Sequence, residues 1–439
     1  MKLSITLFAA LDKKSSLLLQ KVKDTLVSAT KQFVTKPRSA AAIAIDVFCL
    51  LIILANGIQS PQRLISPLSS LQPLTQNKGT YEVFGFAPYW TFDKLDNVDY
   101  SVLTTMAYFG VPINSNGDLE YNDPGYETFK SAYATKIFKK AHAAGTRVVL
   151  TITQMDNGAI EMLMDNDVAQ ANTISQTVNE VKKRGIDGVN VDFEYMGDPG
   201  PAYRAKFTKF IAKFSSEMHN QVPHSKVTVS VYASAVKDPK IYDLTAISKH
   251  ADGIFMMAYD FAVTNADNAM PTSPLNGHKE GKYWYDIATA VDDFLTVMPA
   301  DKLILGLPWY GYNYAVDKPE IKAETYPYYS WAGRPHAQTY AIVQNEIQPN
   351  QPGVDAYKTG WDEEGKVGFK AYYSNQTGAW RMIFLEDVRS LGIKYDFAKD
   401  KKLAGVGMWA LGFDEGKTEL WKLLASKFGS KLASNYIEK

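Results

Sequence analysis

The reading of this chain turns on the stretch 187-DGVNVDFE-194. Asn190, Asp192 and Glu194 alternate with Val189, Val191 and Phe193. A period of two puts successive side chains on opposite faces of a β-strand, so one face is apolar and the other polar. The segment before it, 172-NTISQTVNEVKKRG-185, reads as a helix ending at Gly185. A strand set among helices is normally covered on both sides. The polar row therefore points into covered space, where carboxylates need a purpose.

Seven further runs of the same character flank this one. They are 82-EVFGFAP-88, 102-VLTTMAYFG-110, 147-RVVLTIT-153, 226-KVTVSVYA-233, 252-DGIFMMAY-259, 302-KLILGLPW-309 and 404-AGVGMWAL-411. Helical stretches such as 128-TFKSAYATKIFKKAHAAG-145 and 203-YRAKFTKFIAKFSSEMH-219 lie between them. Alternating strands and helices argue for a parallel sheet. Eight such units predict an α/β fold, a (β/α)8 TIM barrel spanning residues 81–430. An open doubly wound sheet is the runner-up, but no Gly-rich phosphate turn follows the first strand. The gap between Trp309 and Ala404 is longer than one helix needs. A small α+β insertion at about 326–380, after strand seven, accounts for it and would wall one side of a cleft.

Alternate residues of a barrel strand point inward. Asn190, Asp192 and Glu194 would then climb the inner face toward the C-terminal rim, where barrel enzymes carry their chemistry. Burying two carboxylates side by side raises at least one pKa. A carboxylic acid that keeps its proton near neutral pH is what a general acid requires. The bland rival is a structural ion-pair network.

Composition sets few limits. With 47 basic and 47 acidic side chains, there is no basic excess of the kind a nucleic-acid partner calls for. Cys49 is the only cysteine, which excludes an intrachain disulfide. The 26 tyrosines and 8 tryptophans suit a surface that stacks on sugar rings, or equally a Tyr-rich core.

The N-terminal part reads differently. Residues 1–39 are a basic segment expected in the cytoplasm. Residues 40–58, AAAIAIDVFCLLIILANGI, form an apolar run carrying one charge, Asp46. Its length suits a transmembrane signal-anchor, and the lysines before it place the following chain outside the cytoplasm. Cleavage near Gly57 with release of the rest, or a buried helix of a soluble domain, are the alternatives. Residues 59–80, rich in Pro, Ser and Gln, read as a flexible linker.

With these residues in view, DGVNVDFE resembles the D-G-x-D-x-D-x-E motif of glycoside hydrolase family 18, the chitinase-like family. The likeness extends, in order, to 84-FGFAPYW-90, 257-MAYD-260, 305-LGLPWYGY-312 and 405-GVGMWALGFD-414. It implies a retaining glycosidase acting on β-1,4-linked N-acetylhexosamine polymers, chitin or peptidoglycan, through an oxazolinium intermediate formed by the substrate's own acetamido group. Glu194 would be the general acid and then base. Asp192 would orient the acetamido group, and Tyr259 would hydrogen-bond it with Asp260 beside. Trp409 would floor the sugar site, and Asn190 and Met257 would line it. Trp90, Trp309 and Tyr310 would add further subsites. No metal or cofactor is implied, and the oligomeric state is open, a monomer being the default.

The match departs from the family at Asn190, where Asp is usual. Asn here resembles the bacterial branch of spore-cortex-lytic glucosaminidases, which brings peptidoglycan forward beside chitin. The competing function is a carbohydrate-binding protein with a weak or inactive barrel. The presence of Glu194, Asp192 and Tyr259 together favours an enzyme.

Overall fold

The computed structural model describes residues 80–429. The segments expected to be cytoplasmic (1–39) and membrane-spanning (40–58), and nearly all of the expected linker (59–80), lie outside the described residues. Among the described residues, no helix is long and apolar enough to cross a membrane.

Thirteen strands are present among the described residues. In chain order they are β1 Glu82–Pro88, β2 Thr105–Pro112, β3 Arg147–Gln154, β4 Gly188–Phe193, β5 Lys226–Tyr232, β6 Gly253–Met257, β7 Leu303–Pro308, β8 Tyr310–Val316, β9 His336–Thr339, β10 Val354–Asp362, β11 Val367–Ser374, β12 Ala379–Leu385 and β13 Gly405–Trp409. Eight of them close a parallel barrel in the order β1-β13-β7-β6-β5-β4-β3-β2. These are the eight runs read from the sequence, and the doubly wound alternative is excluded.

The helices follow local signals. The helix Asp167–Arg184 starts at Asn166, whose side chain accepts from the amides of Val168 and Ala169. It stops at Gly185, which adopts the left-handed φ of 63° that glycine takes without steric cost. One expected helix is two. The 128–145 segment breaks at Ser131, which turns extended and caps the helix Ala132–Ala143 by accepting from Ala134 N. A serine that bonds the backbone locally competes with helix continuation and favours a new start.

The barrel interior is packed with aromatic side chains. Phe84, Phe86, Phe109 and Phe255 are buried together with Val149, Met257 and Ile304. Phe86 meets Phe255 edge to face at 4.8 Å between ring centroids. Each such side chain contributes roughly 1.5–3 kcal/mol by leaving water. Room for the Phe255 ring comes from glycines on the adjacent strand β7 and on β13 beyond it. A Cβ at Gly306 on β7, or at Gly407 on β13, would lie 2.3 Å from that ring.

The insertion is larger than expected. Its sheet is antiparallel, in the order β10-β11-β12-β8-β9. It begins at Tyr310, directly after β7, and runs to Leu385, rather than from about 326 to 380. The early start is not legible in the sequence because 305-LGLPWYGY-312 reads as one strand. Pro308 breaks it into a barrel strand and the first strand of the new sheet, which pairs with β12 from Asn313 to Val316. Lys282, in the long connection after β6, ties the sheet to the barrel. Its ammonium lies 2.6 Å from both Asp362 and Glu364.

Candidate active site

Strand β4 places the row as its alternation demands. Val189, Val191 and Phe193 face the helical layer, where Phe193 stacks on Phe210 at 5.9 Å. Asn190 and Asp192 face the barrel interior and are buried, and Glu194 follows at the rim, half-buried. The cleft at that rim is lined by Asp192, Glu194, Ser230, Met257, Tyr259, Asp260, Tyr310 and Trp409, with Phe86, Trp90, Phe109 and Met155. Among the described residues lining it there is no lysine, arginine or histidine.

That composition governs the charges. Burial raises the Asp192 pKa well above the usual carboxylate range, the neighbouring Glu194 raises it further, and a hydrogen bond from Ser230 opposes both. Glu194 is also raised, by burial first and by the charge of Asp260, against the pull of a hydrogen bond from Tyr232. Two carboxyls held in one low-dielectric space do not both ionise freely, so the pair retains a proton to higher pH than either would alone. Among the described residues, Asp192 Oδ1 has no hydrogen-bond partner. Burial, together with the charges of Asp192, Glu194 and Asp260, pushes the Tyr259 phenol far up, so it stays a neutral donor.

Asp260 is oriented by three hydroxyls. Its Oδ1 accepts from Tyr310, from Tyr312 at 2.9 Å and from Thr272 at 3.1 Å. Two of these hydroxyls come from β8, so the insertion helps to build the site. Trp409 lies against Phe86 at 5.4 Å and against Phe109 at 4.8 Å, and Trp90 approaches it at 6.4 Å from the opening. Trp90 is half exposed and Trp409 is partly exposed, which leaves ring face available at the cleft.

One expected residue is elsewhere. Trp309 is fully buried and packs edge-on against Trp421 at 5.3 Å, outside the cleft. Its neighbour Tyr310 turns into the cleft instead. Consecutive extended residues face opposite ways, and at this junction the even position looks inward.

Ser230, Tyr232, Met155, Phe86 and Phe109 belong to the site and were not singled out from the sequence. A signal for the first two was present. In 226-KVTVSVYA-233, Thr228, Ser230 and Tyr232 alternate with valines just as the acidic row does. Knowing that β4 and β5 are neighbours makes the two rows confront each other, and the register pairs Asn190 with Thr228.

Comparison with known proteins agrees with this geometry. The family described as Glycosyl hydrolases family 18 matches residues 80–414. A di-N-acetylchitobiase of Rattus norvegicus is 26% identical over 325 residues, covering 71% of this chain and 77% of that protein. A cortical fragment-lytic enzyme of Bacillus subtilis (strain 168) is 21% identical over 302 residues, covering 67% of this chain and 63% of that protein. The crystal structure of an Ostrinia furnacalis Group IV chitinase in complex with allosamidin superposes with a TM-score of 0.68 at 19% identity, covering 81% of this chain and 99% of that one.

Proposed function

Given that the chain belongs to glycosyl hydrolases family 18 and is a glycoside hydrolase, we propose that it cleaves β-1,4-linked N-acetylhexosamine polymers with retention, using the substrate's acetamido group as the nucleophile. The observation that carries this reading is the inward pair of buried Asp192 and half-buried Glu194, both pushed toward the protonated form, beside the partly exposed ring of Trp409.

Glu194, protonated in the free site, donates to the glycosidic oxygen as the bond to the anomeric carbon breaks. The acetamido oxygen closes on that carbon from the other side and forms an oxazolinium ring. Asp192 takes up the acetamido N–H and steadies the positive charge, and Tyr259 donates to the acetamido oxygen side. Glu194, now a carboxylate, then takes a proton from the attacking water, and the ring reopens with the original configuration. This route departs from the two-carboxylate scheme of most glycosidases, so no separate protein nucleophile is needed. The absence of any lysine, arginine or histidine among the described cleft-lining residues supports it, since nearby positive charge would oppose the forming cation.

The substrate class is chitin or peptidoglycan. The family relatives include a chitobiase and a cortical fragment-lytic enzyme, one from each side of that division. The catalytic unit is further proposed to work outside the cytoplasm, tethered through the apolar run at 40–58.

Mass spectrometry of products from N-acetylglucosamine oligomers and from purified peptidoglycan, run side by side, tests the reading. One of the two should give new reducing ends, and allosamidin should suppress them. Glu194→Gln keeps shape and hydrogen bonding but removes the transferable proton, so turnover should fall by about a hundred to ten thousand fold while binding persists. Wild-type turnover in that variant would overturn the assignment.

A further inference from the structure

Asp260 holds a backbone conformation that side chains rarely take. Its φ is 59°, in the left-handed region that favours glycine. Another residue stays there only when its surroundings enforce it. The enforcing segment is the turn at Thr272 and Ser273. The Asp260 amide donates to Thr272 Oγ1 at 3.0 Å, and the Phe261 amide donates to the Thr272 carbonyl at 3.0 Å. Ser273 Oγ donates to the Ala258 carbonyl at 2.6 Å. Bonds on both sides of Asp260 thus fasten 258–261 to 272–273. The Thr272 hydroxyl also meets the side chain. Having accepted from the Asp260 amide, it has one proton left, and that proton goes to Asp260 Oδ1 at 3.1 Å. Tyr310 and Tyr312 donate to the same oxygen. Oδ1 is therefore filled, and among the described residues Oδ2 takes no hydrogen bond. Asp260 is exposed and lines the cleft, so Oδ2 is the oxygen left for a substrate.

Thr272 is itself held from behind. Lys394, wholly buried on the helix Val388–Asp400, donates to the Ser273 carbonyl at 2.6 Å and pairs with the buried Glu386. A buried charge is costly unless it is paired, so this ammonium stays where its two acceptors are. Further along, the amides of Leu275 and Asn276 donate to the Gly365 and Glu364 carbonyls, at 2.9 and 3.1 Å, in the turn between β10 and β11. The segment 272–276 is thus strung between Asp260 and the insertion.

We infer that Thr272 is a positioning residue for Asp260, and that Lys394 holds Thr272 in place from the side of the insertion. Thr272 fixes the backbone turn and Oδ1 together, which leaves Oδ2 to accept from a hydroxyl or amide of the sugar. The insertion then shapes this end of the site twice, through Tyr310 and Tyr312 on β8 and through the segment 272–276. This rests on the reading above that Asp260 lies beside the bound sugar.

The test uses the full chain labelled with ¹⁵N-aspartate, with the Asp260 amide signal identified by its loss in Asp260→Asn. Thr272→Val keeps the size of the side chain and removes the hydroxyl. Exchange of the Asp260 amide with water should speed up by about tenfold in Thr272→Val, the worth of an ordinary hydrogen bond, and return toward wild type in Thr272→Ser. In hydrolysis of whichever polymer the wild type cleaves, Thr272→Val should raise KM several fold and Thr272→Ser should restore it. A mere loss of folded protein would lower kcat and leave KM alone. Asp260→Gly takes the left-handed turn freely and carries no carboxylate, so in that background Thr272→Val should change kcat/KM no further. Lys394→Met combined with Glu386→Leu removes both buried charges at once, which folds commonly tolerate. It should speed Asp260 exchange and raise KM, each less than Thr272→Val does. Asp260 exchange that is unchanged in Thr272→Val, or an equal loss of kcat/KM from Thr272→Val in both backgrounds, would overturn the inference. A Lys394 and Glu386 double variant that leaves the Asp260 amide protected, or that does not fold, would overturn the part given to Lys394. If the wild-type chain releases no reducing ends from either polymer, the exchange rates still decide whether Thr272 holds Asp260, and the catalytic reading alone falls.

Discussion

At the scale of single residues, Asp192 sets activity against stability. Its folded pKa lies above the ordinary carboxylate value because burial and the Glu194 charge both penalise ionisation. The folded state therefore holds its proton to higher pH than the unfolded chain does. The sign follows from linkage: this group costs nothing below the unfolded pKa, and its cost grows as pH rises toward the folded one. Asp192→Asn cannot ionise, so at pH 7 it should unfold at a higher temperature than wild type, with a gain on the order of 1–3 kcal/mol. The gain should fade as the pH falls to about 4, the ordinary Asp pKa, and activity should be lost throughout. Thermal melts of the two proteins at a series of pH values measure it. A difference that is flat with pH would show that Asp192 has the same pKa in the folded and unfolded chains.

At the scale of elements, the barrel is closed around one ring. Phe255 fills space left by Gly306 and Gly407, and Gly407 also passes within 2.8 Å of the Phe84 carbonyl oxygen when a Cβ is added. Gly407→Ala should therefore overpack the interior, costing about 1–3 kcal/mol. The urea midpoint should fall with little change in slope. Phe255→Leu in the same chain should recover part of the loss, because it removes the atoms the new methyl meets. Full additivity of the two changes would mean that they do not share this space. The strand that carries Gly407 ends at Trp409, so kcat should suffer together with stability.

These two scales differ in how far the sequence reveals them. The eight barrel strands were legible because each carries its own period-two or apolar pattern, and the helix end at Gly185 was legible from the glycine itself. The break at Ser131 and the start of the insertion at Tyr310 were not. Both depend on choices between two locally acceptable conformations, and packing makes those choices. The direction of Trp309 is the same kind of case. Two aromatic residues in a row at a strand end leave open which one enters the cleft, and only the turn after Pro308, with β8 departing into its own sheet, puts Tyr310 inward and Trp309 against Trp421.

At the scale of the whole molecule, the described residues contain both the barrel and the insertion, and the connections between them are polar and close. Lys282 bridges Asp362 and Glu364, and Tyr283 bonds Asp362. The buried pair Lys394 and Glu386 joins the end of β12 to the helix Val388–Asp400, and Lys394 also donates to the Ser273 carbonyl at 2.6 Å. The described residues that line the cleft run from Phe86 to Trp409, all within the barrel and the insertion. A chain starting at Lys78 should therefore be recovered folded without detergent and keep the turnover of the full chain, while the full chain partitions with membranes. Loss of turnover in the shorter chain, or a full chain that stays with the aqueous fraction, would contradict the tethered arrangement.

What the sequence by itself determined is the inward row. Alternation is a property of the strand alone, so Asn190, Asp192 and Glu194 share a face in any fold that extends them, and the helices on either side make that face an interior one. The aromatic candidates Trp90, Trp309 and Tyr310 followed from their places at strand ends, and Trp409 from the family resemblance; of these, only Trp309 lies outside the cleft. What only the tertiary structure decided is which groups meet that row. Ser230 and Tyr232 lie about forty residues away in the chain, and they reach Asn190, Asp192 and Glu194 because β5 pairs with β4 in one register. Tyr310 and Tyr312 reach Asp260 because β8 leaves the barrel at that point. The physical reason is that pKa values and hydrogen-bond direction depend on what lies within a few ångströms. Those neighbours are set by strand pairing and chain return, which no local pattern encodes.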